Sequence, residues 1–401
     1  MKADLFLPCA QGVESLLSDE CKRLLGAAQV REQRGGVTVS GDEATAMRLN
    51  LESRLAQRVL WPLAHGPYRH ELELYELARS VDWRDWITPR QTLRVDTTAQ
   101  RSPLKSLNFA TLRIKDAVCD ALREASGERP SVDTRHPDLP LALHLTATHA
   151  TLYADTSGEA LFKRGWRDAG AQKGEAPLKE TLAAAMLAAA GWQGREQDGA
   201  LFDPCCGAGT IAIEAAQLAC GIAPGTNRHF AFERLAPWRD HQSAWLAMRE
   251  AARERVHASA VPIFAGDVSF RMTDFAQRNA HRAAVAAAIE FKTADALQRL
   301  PPASVGTLML NPPYGERIGA KGMGGGGREG FEAGSGSSAE FFAALAAHWK
   351  RHYAGWTAWV LSPEPKLPSM MRLKESRRVP LWNGPIECRL FRFEMVAGSA
   401  R

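Results

Sequence analysis

The sequence predicts an α/β fold, with an open, mostly parallel sheet in the second half of the chain and a smaller α+β region before it. In the second half, three apolar segments each end in an acidic residue, Asp203, Asp267 or Asp295. The first acid leads into a glycine-rich turn and a helical run, which is typical of a strand, turn and helix in a parallel sheet. A fourth apolar segment, 305–310, leads into Asn311-Pro312-Pro313-Tyr314. Ligands of such sheets lie at the carboxyl ends of the strands, so the four segment ends predict one site.

The other elements of the second half continue the alternation of strands and helices. A proline near the first turn and a run of alanines predict a helix over 177–190. The pattern then indicates strands at 200–203, 261–266, 289–294, 305–310, 356–361 and 387–395, helices at 210–219 and 339–353, and a basic stretch at 366–378. These six strands predict most of a seven-stranded pattern with an antiparallel end. The glycine-rich segment 319–338 predicts a flexible loop that could close over a substrate, and a low-complexity insertion is the alternative.

The first half has the pattern of a small α+β structure. Residues 1–60 predict strands at 5–8 and 36–40 and helices at 13–25 and 44–55. Residues 61–156 predict helices at 71–80 and 109–124 and strands at 91–96, 141–145 and 150–154. An insertion between Cys220 and Val261 is longer than a crossover needs, and its tryptophans are expected in a core or a lid.

The Asn-Pro-Pro-Tyr segment combines hydrogen-bond acceptors with an aromatic face. The Asn311 amide oxygen and the Pro312 carbonyl can accept hydrogen bonds from an exocyclic amine, while Tyr314 can stack on the ring that carries the amine. The prolines fix φ and so hold the acceptors in place. Asn311, Pro312 and Tyr314 are therefore the candidate catalytic residues for transfer of a group to the amino nitrogen of a planar base. A plain proline turn is the alternative for these four residues taken alone.

The glycine turn after Asp203 predicts a cofactor site. Gly207 and Gly209 carry no Cβ atom that would keep a ligand from the backbone, and the following helix presents unpaired N–H groups. The turn lacks both the GxGxxG spacing of a dinucleotide fingerprint and the GK[ST] of a P-loop, which disfavours nicotinamide and nucleoside triphosphate ligands. Cys205 and Cys206 are expected to pack inside the turn; a nucleophilic cysteine is the alternative, and the amine clamp argues against it.

The three acids suit the parts of one cofactor. Asp203 suits an amine, Asp267 a ribose diol and Asp295 an adenine amine, although each aspartate alone also fits a cap or a turn. The order of acid, glycine turn, acid, acid and Asn-Pro-Pro-Tyr is typical of class I methyltransferases that use S-adenosylmethionine. The residues assigned to this cofactor are Lys179, Asp203, Cys205, Gly207, Gly209, Thr210, Asp267, Asp295 and Asn311.

Composition sets further bounds on the class of protein. The chain has 401 residues and a formal net charge of +5, which is compatible with a polyanionic partner and common among ordinary enzymes. Its seven cysteines show no zinc-ligand spacing and no HExxH motif is present, so we expect no metal. We also expect a cytoplasmic protein without membrane association, because there is no apolar signal core and no run of ~20 apolar residues.

Two basic segments predict contacts to a nucleic-acid backbone. One lies before and on the helix predicted at 109–124, where a solvated helix face is an equally good explanation. The other, 161–167, combines cations with two aromatic residues, a mixture that suits phosphate contact with stacking. The candidate RNA-binding residues are Arg101, Lys105, Arg113, Lys163, Arg164 and Arg167.

Taken together, these motifs resemble the THUMP-domain RNA guanine-N2 methyltransferases, most closely the bacterial 23S rRNA enzymes of the RlmL type. The resemblance covers nearly the whole chain and rests on the segments 161–167, 176–183, 203–210, 222–225, 230–233 and 311–317. It implies a ferredoxin-like region at 1–60, a THUMP RNA-binding domain at 61–156, a linker at 157–176 and a Rossmann-like class I methyltransferase domain at 177–401. Of these segments, 311–317 is the most selective.

The resemblance also implies an activity and a partner. It implies methylation of the N2 amine of a guanine flipped out of RNA, with S-adenosylmethionine as cofactor and 23S rRNA or a large-subunit assembly intermediate as partner. Members of the family usually carry a second acid where this sequence has Ser269, which leaves part of the ribose contact open. The larger fused members have a second methyltransferase that is absent here, so single-site chemistry is expected.

Three other functions fit parts of the same pattern. The tRNA guanine-N2 methyltransferases with THUMP domains share the architecture, and N6-adenine methyltransferases use the same amine clamp. An RNA-binding module with a vestigial cofactor site is the non-enzymatic alternative, and the intact Asp203, Gly207 and Asn311 argue against it. The sequence does not indicate an oligomeric state.

Overall fold

The computed structural model describes residues 2–167, 178–312 and 338–396. The chain divides into two compact units, each with its own sheet. The first unit comprises Met1–Cys9, Leu17–Leu161 and Pro224–Glu254, and the second comprises Ala10–Leu16, Phe162–Ala223 and Arg255–Arg401.

An eight-stranded mixed sheet forms the centre of the first unit. Its strands are β1 (Ala3–Pro8), β2 (Val30–Gln33), β3 (Gly36–Gly41), β4 (Leu60–Pro67), β5 (Thr92–Ala99), β6 (Ser131–Val132), β7 (Leu139–Leu145) and β8 (His149–Asp155). Their order is β2-β3-β1-β4-β8-β7-β5-β6. Only the pairs that β5 makes with β6 and β7 are parallel. Strands β2, β4 and β6 were not among the predicted elements.

Four helices accompany these strands in the first half of the chain. They are α1 (Glu14–Leu25), α2 (Glu43–Glu52), α3 (Glu71–Arg79) and α4 (Leu107–Ser126). Helix α4 begins where the Ser106 hydroxyl accepts a hydrogen bond from the Phe109 amide at 3.2 Å, and it ends at Gly127, whose φ of 78° a helix cannot continue. Its buried residues recur three or four positions apart, so one face of α4 packs into the unit.

A seven-stranded sheet forms the centre of the second unit. Its strands are β9 (Ala200–Asp203), β10 (Ile263–Asp267), β11 (Ile289–Thr293), β12 (Gly306–Leu310), β13 (Thr357–Ser362), β14 (Arg377–Asn383) and β15 (Ile386–Glu394). The helices of this unit are α5 (Glu180–Ala190), α6 (Thr210–Ala219), α8 (Phe270–Arg282), α9 (Ser338–His352) and α10 (Leu367–Met371), while α7 (Gln242–Glu254) belongs to the first unit. The strand order is β11-β10-β9-β12-β13-β15-β14.

The direction of the strands determines where a ligand can bind. Strands β9 to β13 are parallel, while β15 is antiparallel to both of its neighbours. The strand order reverses between β9 and β12, so the crevice of this doubly wound sheet lies at their carboxyl ends. The predicted α/β fold with an antiparallel end is confirmed. Strand β14 replaces part of the predicted basic stretch, and its Pro380 is tolerated because β14 is an edge strand.

The insertion at 224–254 packs inside the first unit. The indole N–H of Trp238 donates to the Glu43 carbonyl at 3.1 Å, and the Trp238 ring meets that of Trp61 edge-on, with centroids 5.4 Å apart. The Phe232 amide donates to the Thr156 carbonyl at 3.0 Å. The aromatic side chains expected in a core or a lid therefore belong to a core. No helix in the described ranges is both long and apolar enough to cross a membrane.

Candidate functional site

The acidic ends of β9 and β10 lie side by side, because the two strands are adjacent and parallel. Asp203 Oδ1 accepts a hydrogen bond from the Cys205 amide at 3.1 Å. Asp267 Oδ2 accepts from the Gly207 amide at 3.1 Å, and Asp267 Oδ1 accepts from the Ser269 amide at 2.9 Å. The Asp267 carboxylate therefore ties the glycine turn to the end of the neighbouring strand.

The third acid joins the same edge of the sheet. Strand β11 runs parallel to β10, and the Ala294 amide donates to the Asp267 carbonyl at 3.0 Å. Asp295 follows, and its Oδ1 accepts from the Leu297 amide at 2.9 Å. The three acids thus follow three adjacent parallel strands. Among the residues that the structure describes, no three His, Cys, Asp or Glu side chains are arranged to hold a metal ion.

Burial raises the pKa of three groups at this edge, the Asp203 carboxyl and the thiols of Cys205 and Cys206. Asp203 is 2% exposed, and burial raises the pKa of its carboxyl, with the Asp267 carboxylate adding to the effect. A cationic amine beside Asp203 would favour the ionised form, so the position suits the amine that the sequence predicts. Burial and the same carboxylates also raise the pKa of the Cys205 and Cys206 thiols. Protonated thiols are poor nucleophiles, which favours the packing interpretation of both cysteines.

The structure needs glycine at the two positions of the turn for different reasons. Both have positive φ, 52° at Gly207 and 81° at Gly209. A Cβ at Gly209 would lie 3.0 Å from Ala276 Cβ, so this glycine allows α6 and α8 to pack closely. A Cβ at Gly207 would meet no described atom within 4 Å. The sequence pattern predicts that a ligand approaches the backbone at both glycines. The structure leaves room for a ligand beside Gly207, whereas Gly209 is needed for helix packing.

The end of β12 carries an unpaired acceptor. Leu308, Met309 and Leu310 are fully buried, and Asn311 follows them. The Asn311 Oδ1 atom is buried and has no hydrogen-bond partner within the described parts of the chain. Buried polar atoms are nearly always paired, so this orphan acceptor indicates a donor that arrives with a ligand. Pro312 is buried beside it, whereas Tyr314 and residues 319–337 of the glycine-rich segment lie outside the described residues.

Lys179 and Thr210 occupy the starts of α5 and α6. The Thr210 hydroxyl is 2.7 Å from an Arg167 guanidinium nitrogen, and Arg167 Nε also donates to Glu180 at 2.5 Å. Lys179 Nζ lies 5.1 Å from the centre of the Phe162 ring. Arg167 therefore links α5 to α6, while the cofactor contacts of Lys179 and Thr210 stay predictions.

Arg164 lies in the interior of the second unit. Its side chain is 1% exposed, and its Nε is 3.0 Å from Glu214 Oε1, which belongs to a fully buried side chain of α6. The structure therefore corrects the expected RNA contact of Arg164, because its guanidinium balances a buried carboxylate. Lys163 is exposed, so it is the member of the basic segment 161–167 that remains best placed for RNA.

A basic and apolar surface covers the first turns of α4 in the first unit. Arg101 and Lys105 are exposed, and the Arg113 guanidinium lies 4.8 Å from the centre of the Phe109 ring. Three large apolar side chains beside these cations are also exposed, Phe109 at 43%. We call this set the α4 surface; it consists of Arg101, Lys105, Leu107, Phe109, Leu112 and Arg113. The sequence marked its cations but not its apolar members, which an amphipathic helix normally buries.

Two apolar residues next to Asp267 were also missed. Val268 is 59% exposed and Phe270 is 75% exposed, at the start of α8. Exposed apolar side chains directly after a strand-end acid are the signal that could have identified them. They provide apolar surface beside the position predicted for a ribose.

Three family models match consecutive parts of the chain. A model of the RlmL ferredoxin-like domain matches residues 4–60, a THUMP domain model matches 68–155, and a model of the RMKL-like methyltransferase domain matches 164–392. The last match covers more than half of the chain and includes all four strand ends of the site. The chain belongs to the RMKL-like methyltransferase family. The glycine turn, the three acids and Asn311 are thus parts of a methyltransferase domain, and the first unit contains a THUMP domain.

Known proteins are similar to this chain over nearly its whole length. The ribosomal RNA large subunit methyltransferase K/L of Syntrophotalea carbinolica is 39% identical over 400 residues, which cover 98% of this chain and 53% of the relative. The chain therefore spans about half the length of that relative. SMU.472, provisionally named a methyltransferase and crystallised with SAH, has a TM-score of 0.82 at 25% identity, covering 100% of this chain and 99% of its own. A Listeria monocytogenes protein, named a predicted N6-adenine-specific DNA methylase, has a TM-score of 0.82 at 27% identity. The match covers 98% of this chain and 96% of the Listeria chain.

Proposed function

We propose that the protein methylates the N2 amine of a guanine in RNA, with S-adenosylmethionine as the methyl donor. The observation that carries the proposal is the buried, unpaired Oδ1 of Asn311. An exocyclic amine supplies the N–H donor that this acceptor lacks. Strand β12 is the parallel neighbour of β9, so the amine would be held beside the strand end that carries the glycine turn.

In this proposal, three acids of the second unit contact three polar parts of the cofactor. Buried Asp203 suits the amine, Asp267 the ribose and Asp295 the adenine amine, while the open side of Gly207 leaves room against the backbone. The Asp267 carboxylate is held in place by the Gly207 and Ser269 amides, which donate to its two oxygens. When bound, S-adenosylmethionine supplies an electrophilic methyl group.

The residues of the chain contribute mainly by positioning the substrate amine. Asn311 Oδ1 and the Pro312 carbonyl accept its N–H groups, which orients the nitrogen lone pair. Alignment of this kind, together with exclusion of water, supplies much of the rate enhancement in a group transfer. Tyr314 remains the predicted stacking partner of the base. Neither cysteine of the turn has a covalent role in this proposal, since burial raises the pKa of both thiols.

The first unit supports RNA as the substrate. It contains the THUMP domain match, and its α4 surface combines cations with an exposed aromatic ring. The K/L relative is named for the RNA of the large ribosomal subunit. We therefore propose 23S rRNA, free or in a large-subunit assembly intermediate, as the substrate, and the cytoplasm as the location.

Transfer of a tritiated methyl group from S-adenosylmethionine to undermodified bacterial RNA tests the proposal. The RNA would be separated by size and digested to nucleosides. Label in 23S rRNA as N2-methylguanosine is the expected result. Label in tRNA would identify tRNA as the substrate instead. Label as N6-methyladenosine would identify adenine as the methylated base, and the name of the Listeria protein makes adenine the second candidate. No label from a protein that binds the cofactor would favour a non-catalytic RNA-binding module.

A further inference from the structure

A fully buried amide side chain contacts the glycine turn. Asn279 belongs to α8 and is 0% exposed. Its Nδ2 donates to the Ala208 carbonyl at 2.9 Å, and Ala208 is the residue between the two glycines of the turn. The bond joins residues that lie 71 positions apart in the chain, so it is a tertiary contact that fixes the turn against α8.

A second residue of α8 determines the orientation of this amide. An Arg282 guanidinium nitrogen donates to Asn279 Oδ1 at 2.6 Å, and Arg282 Nε donates to the Trp166 carbonyl at 2.8 Å. Since a guanidinium can only donate, the Asn279 oxygen faces Arg282, and its NH2 group is left for Ala208. One chain of hydrogen bonds therefore runs from the carbonyl of Trp166 to the carbonyl of Ala208.

The two ends of the peptide unit that joins Ala208 to Gly209 are held from different sides. The Gly209 amide donates to the Cys206 carbonyl at 2.7 Å, which is a contact within the turn itself. The Ala208 carbonyl is held from outside the turn, by Asn279. Gly209 is the N-cap of α6 and has no side chain that could cap the helix. Removal of the Asn279 amide would therefore leave the conformation of this peptide unit to the turn alone.

The turn is also held at its other end, by a residue with a different proposed role. Asp267 accepts a hydrogen bond from the Gly207 amide, and the same carboxylate is the proposed ribose contact. Asn279 has both of its polar atoms engaged by the protein, with Arg282 and Ala208 as partners. Its side chain is therefore suited to hold the turn, and not to contact the cofactor.

We propose that Asn279 is a positioning residue for S-adenosylmethionine, which keeps the glycine turn in the conformation that binds the cofactor. The cofactor approaches the backbone at Gly207, where a Cβ would meet no described atom within 4 Å. Glycine backbones are conformationally free, so the bond to the next residue, Ala208, reduces the cost of ordering the turn on binding. The inference rests on the proposed function for the cofactor, and not for the base or the RNA.

The test compares two truncations of buried amides in the same pair of helices. Asn279→Ala removes the bond to Ala208. The matched control, Gln217→Ala, removes the bond that Gln217 of α6 donates at 3.4 Å to the Ala283 carbonyl, at the end of α8 and away from the turn. Both variants should melt a few degrees below the wild type, because each loses one buried hydrogen bond. Only Asn279→Ala should raise the dissociation constant of S-adenosylmethionine, measured by calorimetry, by about tenfold.

A second measurement tests the proposed cause. Hydrogen exchange of residues 204–210, followed by mass spectrometry without cofactor, should be faster in Asn279→Ala and unchanged in Gln217→Ala. Asn279→Asp provides a further variant that keeps the shape of the side chain and the acceptor for Arg282. An ionised carboxylate has no donor for the Ala208 carbonyl, so this variant should weaken cofactor binding at least as much as Asn279→Ala.

An unchanged dissociation constant in Asn279→Ala, or equal increases in Asn279→Ala and Gln217→Ala, would overturn the proposal. If Asn279→Ala does not fold, normal cofactor affinity of Asn279→Asp would have the same consequence. These measurements need no methyl transfer. A wild-type protein that binds S-adenosylmethionine without methylating RNA would contradict the proposed function, whereas this comparison of variants would still decide the role of Asn279.

Discussion

The two units of the molecule differ in how far the sequence alone indicates their proposed functional surfaces. In the second unit, the proposed site consists of residues at or just after the carboxyl ends of parallel strands, so each one is marked by a local pattern. In the first unit, the α4 surface brings together residues whose surroundings depend on tertiary packing. A strand-end site can therefore be predicted from short motifs, whereas a binding surface of the first unit needs the folded structure.

The segment 161–167 should show the largest effect on stability, because a buried and an exposed cation are neighbours in it. Arg164 is buried against Glu214, while its neighbour Lys163 is exposed. We expect Arg164→Met to lower the free energy of unfolding by about 3–5 kcal/mol, because it leaves an uncompensated buried carboxylate. Lys163→Met should change it by less than about 0.5 kcal/mol. Urea denaturation of both variants checks the difference, and similar stabilities would show that Arg164 is not a structural residue.

Asn311 tests the motif that was most informative in the sequence. Asn311→Ala should lower kcat about a hundredfold or more, by analogy with the loss of one positioned polar group in other active sites. Cofactor affinity, measured by calorimetry, should change little, because the side chain is proposed to hold the substrate amine. Asn311→Asp keeps an acceptor and should recover part of the activity. If Asn311→Ala retains normal turnover, the amine-clamp mechanism is wrong.

Much of the fold and of the site could be predicted because the relevant signals are local. The acids at Asp203, Asp267 and Asp295 follow apolar runs, and parallel strands align their carboxyl ends. Strand β14 could not be predicted as a strand, since Pro380 and its arginines resemble an exposed basic stretch. Arg164 could not be separated from Lys163, because burial depends on Glu214, 50 residues further along the chain.

Asp203, the proposed partner of the cofactor amine, should make the stability of the protein depend on pH. Burial raises its pKa in the folded state, so the folded protein holds this proton more tightly than the unfolded chain does. Ionisation of Asp203 therefore lowers stability as pH rises above the unfolded value of about 3.9. Asp203→Asn should melt at a higher temperature than the wild type at neutral pH, and the gap should close as the pH falls to about 4. The same variant should lose about 2 kcal/mol of cofactor affinity, the typical value for a hydrogen bond to a charged group.

A lower melting temperature for Asp203→Asn at neutral pH would contradict the destabilising role of the buried carboxylate. Asp198→Asn serves as the comparison, since burial is opposed there by hydrogen bonds from Arg195 and the net pKa of Asp198 is lowered. That variant should be less stable than the wild type at neutral pH. Its cofactor affinity should not change.

The two glycines of the turn separate packing from ligand approach. Gly209→Ala and Gly207→Ala should each cost about 1–2 kcal/mol of stability, because both positions have positive φ. Gly209→Ala should cost more, since its Cβ would lie 3.0 Å from Ala276 Cβ. Gly207→Ala should instead have the larger effect on the dissociation constant of S-adenosylmethionine. Thermal melts and calorimetry on both variants test this, and the opposite ranking would move the ligand to Gly209.

The α4 surface is expected to give the smallest effect, and it tests the first unit directly. If Lys105 contacts a phosphate, Lys105→Ala should weaken RNA binding a few-fold and reduce the slope of log affinity against log salt concentration by about 0.7–0.9. Lys22→Ala, which removes an exposed lysine from α1, should leave that slope unchanged. If both variants behave alike, Lys105 is a solvated surface residue and not an RNA contact. In that case the RNA contacts of the first unit would have to lie elsewhere.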